Sequence, residues 1–143
     1  MLLRRYDRLG FGVGLSTVAL LCASLAQAQP ASMTQTTGGD LMTKDLTAAP
    51  GKEVVMTTVV YPPGGSSPAH RHDAQVFVYV LEGHLNMQVK GGKLMTLGPG
   101  DTFYESPADI HTVSANASKT EPAKFLAFLI KDKGKPVTRP AGP

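Results

Sequence analysis

Gly64–Gly83 reads GGSSPAHRHDAQVFVYVLEG, and the fold is decided in this stretch. His70 and His72 stand two apart in a Gly/Pro/Ser-rich loop that runs straight into an apolar segment, Val76 to Leu81, closed by Gly83. On an extended backbone, residues two apart project to the same side. An extended His-x-His therefore aims two imidazoles into one pocket, where a divalent metal finds two nitrogen ligands.

Outward from this stretch the pattern is that of short strands and tight turns. On the N-terminal side, Glu53 to Tyr61 (EVVMTTVVY) is dense in β-branched residues and is stopped by Pro62-Pro63-Gly64-Gly65. Asp40 to Pro50 reads as a first edge strand with a turn at Pro50-Gly51. On the C-terminal side Leu85, Met87 and Val89 alternate with Asn86 and Gln88, and Gly91-Gly92 is a hairpin signal leading into Lys93–Leu97. Strands follow at Thr102–Glu105, His111–Ala115 and Lys124–Lys131. No helix is expected. About eight strands with turn signals every 8–12 residues belong to a sandwich or barrel, because apolar strands of this kind need both faces managed.

The ends read differently. Arg4, Arg5 and Arg8 precede an apolar run from about Leu9 to Leu25, and Ala26-Gln27-Ala28 has the form of a signal-peptidase site. The run is short for a membrane helix. Leu21 before Cys22 lacks the small residue a lipoprotein signal requires, and Asp7 interrupts the pattern of a twin-arginine signal. Residues 1–28 are therefore expected to be a cleaved secretory signal, which sends the protein to the periplasm or the medium and leaves no membrane association. Residues 29–50 are expected to be an N-terminal arm, 51–131 the barrel, and 132–143, rich in Lys, Gly and Pro, a loose tail.

Charge and cysteine content exclude several classes of function. Of 14 basic and 11 acidic residues, the signal takes three arginines and Asp7, leaving 11 against 10. So small an excess gives no footprint for nucleic acid. Cys22 is the single cysteine and lies in the signal, which excludes thiolate metal sites, disulfides and cysteine nucleophiles from the mature chain.

Two spacings together resemble the cupin family. Its first motif is Gly, five residues, His-x-His, three or four residues, Glu, six residues, Gly; here Gly64, His70, His72, Val76 and Gly83 hold those places. Its second is Gly, five residues, Pro-x-Gly, two residues, His, three residues, Asn; Gly100, Ser106, Ala108 and His111 fall on it, and Asn116 one residue late. The resemblance covers about Val54 to Ile130. It implies an all-β double-stranded β-helix, or jelly-roll barrel. It also implies a divalent transition metal (Fe, Mn, Ni, Cu or Zn) on His70, His72 and His111, a small-molecule ligand and pairing into a homodimer. The dimer edge is expected at Glu53–Tyr61 or Lys124–Lys131.

Val76, at the usual glutamate position, cannot bind metal. Adjacent Gln75 faces the other side unless the strand is bulged, and is otherwise a hydrogen-bonding group at the pocket mouth. Alternation lets only one of Tyr104 and Glu105 face inward. An inward Glu105 serves as a fourth ligand or a general base; an inward Tyr104 orients a substrate through its hydroxyl. Arg71 and His84 are expected on the surface. Phe77, Tyr79, Met87, Met95, Phe103, Phe125 and Phe128 are assigned to the core, some of them lining the pocket. The expected activity is metal-dependent oxidation of dioxygenase type. Its alternatives are a non-catalytic module that binds a small ligand or metal, and a metal-free structural barrel.

Overall fold

The computed structural model describes residues 37–142; the expected signal and most of the expected arm lie outside them. Eleven strands follow one another without a helix among the described residues: β1 (Thr37–Asp45), β2 (Lys52–Tyr61), β3 (Ser66–Ser67), β4 (His70–Arg71), β5 (Ala74–Glu82), β6 (Leu85–Val89), β7 (Met95–Leu97), β8 (Thr102–Glu105), β9 (His111–Asn116), β10 (Ala123–Asp132) and β11 (Arg139–Pro140). They form two antiparallel sheets. One has the order β1-β2-β10-β5-β8; the other runs β11-β4-β9-β6-β7, with β3 also paired to β9. This is the double-stranded β-helix that the two motif spacings imply by their resemblance, and one of the two architectures, sandwich or barrel, that the strand pattern leaves open.

Alternation builds the core. Along β5, Ala74, Val76, Val78 and Val80 are buried, while Gln75, Phe77 and Tyr79 face out. Along β10, Ala123, Phe125, Ala127 and Leu129 are buried in the same rhythm. Leu85, Met87 and Leu97 from the second sheet close on them. Gly83 turns the chain from β5 into β6 at φ 69°, a conformation open to glycine at little cost. Asn116, buried at the end of β9, donates to the carbonyls of Tyr61, Pro62 and Glu121 and accepts from the Ser118 amide. It thereby fixes the loop that leads from β2 toward the histidines.

Four expectations change. The first strand begins at Thr37 and pairs with β2 along its length, with one irregularity between Asp40 and Met42. Pairing orders this polar segment where its own sequence has no apolar period. Glu53–Tyr61 and Lys124–Lys131 do not supply an edge: β2 and β10 lie inside their sheet, and β1 and β8 are its edges. Phe77 and Tyr79 are exposed and not core, because the valines of β5 take the inward positions, and Met95 on β7 is exposed as well.

The expected loose tail carries β11, which pairs with β4. Buried Lys131 bonds Glu53 and the carbonyl of Lys135, and the Gly134 amide also donates to Glu53. Hydrogen bonding to Lys131 holds the Glu53 carboxyl below its usual pKa. Farther along, Arg139 clamps Asp73 with two bonds of 2.8 and 2.7 Å.

Candidate metal centre

The two histidines of the opening loop and the one on β9 meet inside the barrel. His70 and His111 are cross-strand partners of β4 and β9, and His72 follows two residues later on the same extended segment. One nitrogen from each of the three rings lies within 4.8 Å of the other two. The His70 ring is 4.9 Å from that of His72 and 5.0 Å from that of His111.

Backbone carbonyls fix how the first two rings present themselves. His70 Nδ1 is 2.8 Å from the Pro68 carbonyl, and His72 Nδ1 is 2.6 Å from the Val137 carbonyl. A carbonyl only accepts, so each Nδ1 carries the hydrogen and each neutral ring presents a bare Nε2 lone pair. Those two Nε2 atoms are 3.1 Å apart. Two lone pairs facing at that distance repel unless a cation sits between them. The separation suits neighbouring nitrogen ligands of one ion with bonds of about 2.0–2.1 Å. Burial pushes the His70 pKa down, and the neighbouring imidazoles act in the same direction. Both effects favour the neutral, ligating form.

His111 supplies the other half of the fit. It is 3% exposed, and among the described residues neither ring nitrogen has a hydrogen-bond partner. An unsatisfied polar group so deeply buried is costly. Phe103 stacks on the ring at 5.7 Å. Glu105 Oε1 lies 3.1 Å from His111 Nδ1, close enough for an ionic contact but off the line of an N–H bond. Glu105 is itself only 3% exposed. A carboxylate at that depth calls for a cation or donors nearby. The donor set therefore fits a divalent ion: three imidazoles at mutual ligand distance, with a carboxylate against the third.

The histidines and Glu105 line a cavity of about 270 Å³. Val59, Val76, Val78, Met87, Phe125 and Leu129 make its wall apolar, and Val137 and Thr138 of the C-terminal segment also border it. Small-ligand sites have this composition, with a few placed polar groups on a hydrophobic surface.

The sequence expectations sort clearly against this geometry. His70, His72 and His111 are brought together. Of Tyr104 and Glu105, Glu105 is the inward one; Tyr104 is 49% exposed on the outer face, its ring 5.3 Å from that of Phe77. Tyr104 therefore does not line the histidine cavity. Gln75 does not line it either. β5 keeps an unbroken register with β8 from Val76 to Tyr79, and alternation turns Gln75 outward. His84 is exposed, as expected. Arg71 is half-buried with its Nε unpaired, where a surface position was expected. Sequence reasoning missed Val137, whose carbonyl orients His72, since nothing in a Lys/Gly/Pro-rich tail marks it. It also missed Tyr61, Ser67 and Ser114, which line the cavity.

Comparison with known proteins agrees with the fold. A family model described as "Cupin domain" matches residues 57–129, just over half of the chain. Curated protein sequences gave no significant match. Among solved structures, the DMSP lyase DddQ from Ruegeria pomeroyi is 20% identical with a TM-score of 0.54; the match covers 62% of this chain but only 43% of the lyase. The polyketide cyclase RemF from Streptomyces resistomycificus is 24% identical at a TM-score of 0.57, covering 76% of this chain and 72% of the cyclase. A Klebsiella pneumoniae protein with a double-stranded beta-helix domain is 18% identical at 0.59, covering 78% and 90%. At these identities the likeness is one of fold.

Proposed function

The chain belongs to the cupin domain family, and on that premise we propose that it is an exported metal-dependent enzyme acting on a small molecule by dioxygenase-type oxidation. The observation that carries the metal centre is the 3.1 Å approach of the His70 and His72 Nε2 lone pairs, each locked in place by a carbonyl on its Nδ1. His70, His72 and His111 are the residues that would hold the ion. A bound Fe, Mn, Ni, Cu or Zn ion supplies Lewis acidity and, where it is redox-active, electron exchange with dioxygen.

The chain's own residues do the rest. Glu105, inward and beside His111, is placed to accept a proton from an acidic O–H or C–H of the ligand. The aliphatic wall excludes water and strengthens electrostatic interactions at the histidines. A carboxylate beside His111 supports metal binding in an enzyme and in a non-catalytic cupin alike; what favours the enzyme is that Glu105 also lines the ligand cavity, where it can take a proton from what binds there. Two of the similar structures are named as a lyase and a cyclase, so enzymes occur on this fold.

The test is metal analysis of wild type, His70→Ala and His111→Ala after reconstitution with Fe, Mn, Ni, Cu and Zn. Wild type is expected to retain close to one ion per chain and each variant far less. Negligible metal in all three would remove the metal centre, and the enzyme reading with it. Oxygen uptake with enolic or catecholic compounds then separates enzyme from binder. Export rests on Arg4, Arg5, Arg8 and Ala26-Gln27-Ala28, and is checked by finding Gln29 as the N-terminus of protein recovered from the periplasm or medium.

A further inference from the structure

A second polar patch lies in the same cavity. Tyr61 ends β2 in one sheet, while Ser67 on β3 and Ser114 on β9 are register partners in the other. The Tyr61 hydroxyl is 2.6 Å from Ser67 Oγ and 2.8 Å from Ser114 Oγ, so it bridges the two sheets. Tyr61 is 2% and Ser114 5% exposed, Ser67 is half-buried, and all three line the cavity.

Three hydroxyls bring three hydrogens. Their two mutual contacts use two of them, and among the described residues no other acceptor takes the third. One O–H is therefore left over, on a wall that is otherwise aliphatic at Val59, Val78, Met87 and Leu129. Burial raises the Tyr61 pKa, so the phenol keeps its proton and the surplus persists. Among the described residues no lysine or arginine lines the cavity. A surplus neutral donor without a counter-charge suits a neutral acceptor, and a carboxylate placed there would be desolvated without a cation.

We propose that Tyr61, Ser67 and Ser114 form an oxygen-acceptor subsite that holds the neutral carbonyl oxygen of a small, largely hydrocarbon ligand. It rests on the metal-centre reading for the ligand's other end, where an ionisable oxygen meets the three histidines. The cavity, at about 270 Å³, lies just below the range of drug-sized sites, roughly 300–1,000 Å³. The substrate class is thus a compact molecule with two oxygens of unlike character, one ionisable and one a plain carbonyl.

The probe is cyclohexanone, which has a carbonyl and no ionisable oxygen. Its carbonyl stretch is read by infrared difference spectroscopy on the purified protein, both chelator-stripped and reconstituted with zinc. In stripped wild type the band of the bound ketone is expected at lower wavenumber than in alkane solvent. In the near-isosteric Tyr61→Phe/Ser67→Ala/Ser114→Ala variant it should return to the alkane position, with affinity reduced from a few-fold to about tenfold. An alkane-like band in stripped wild type, no binding, or a shift that survives in the triple variant overturns the subsite. Should the triple variant not fold, an alkane-like band in stripped wild type still overturns the subsite. A shifted band in protein that takes up no zinc upholds the subsite while the metal centre fails. An alkane-like band in protein that does bind zinc overturns the subsite alone.

Discussion

Val76 and Glu105 are direct cross-strand partners of β5 and β8, and both are buried on the cavity side. The carboxylate absent from its usual place in the first cupin motif thus stands on the neighbouring strand. Facing residues of an antiparallel pair have Cβ atoms only about 4.5–5.5 Å apart, so the charge is displaced by one strand and kept at the same level of the barrel. Its contact is with His111 rather than with the His-x-His pair.

From this pairing, Glu105→Gln is expected to weaken metal binding by roughly 10–100-fold, the usual cost of losing a carboxylate that supports a ligand histidine. Chelator competition measures it. Moving the charge back, in Val76→Glu/Glu105→Val, should recover part of the loss. Equal affinity of wild type and Glu105→Gln would remove Glu105 from the centre.

Deleting residues 136–143 takes away the Val137 carbonyl that orients His72. The expected result is a loss of metal affinity on the order of tenfold or more. Arg139→Ala, which breaks only an exposed ion pair with Asp73, should leave stability nearly unchanged. If the deletion binds metal as tightly as the full chain does, His72 is oriented by something else.

The metal-free protein should lose stability on acidification. Burial depresses the His70 pKa from its ordinary 6.5. Just below that value the unfolded chain takes up a proton that the folded chain refuses, so stability falls as pH drops through 6.5 and levels off below the folded pKa. Asp73 and Asp132, held below their ordinary value of 3.8 by bonds to Arg139 and Lys52, act only at lower pH. Urea midpoints of chelated protein at about pH 7.5, 6.5 and 5.5 should decline, and less steeply in His70→Gln. A slope undiminished in that variant would count against His70 as its source.

The two glycines that bound the first motif differ in what surrounds them. Gly64 and Gly83 both have φ 69°. A Cβ at Gly64 meets open space, whereas one at Gly83 collides with the Pro122 carbonyl and with Ala123. Gly64→Ala should therefore cost only the left-handed backbone penalty, about 1–2 kcal/mol. Gly83→Ala should cost clearly more, because backbone must move as well. Chemical denaturation of the pair tests this; equal midpoints would show that the Pro122 segment yields freely.

What the sequence alone determined was the barrel, the strand that follows the histidine loop and the three histidines. The strands and the His70/His72 pair follow from local rules, namely β-branched alternation, glycine-bounded turns and the geometry that turns residues two apart to one side; the closed barrel and the place of His111 came from the resemblance to the two cupin motifs. Alternation also left one choice open, between Tyr104 and Glu105. Tertiary structure made that choice by pairing Glu105 with buried Val76. It also made a strand and a ligand-orienting carbonyl from the segment around Val137, which has no apolar period to announce it. There the order comes from distant partners: Lys131 against Glu53, Arg139 against Asp73, and β11 against β4. The hydroxyl cluster was hidden for the same reason. Tyr61, Ser67 and Ser114 share no periodicity, and only the closing of one sheet over the other brings them within hydrogen-bond distance.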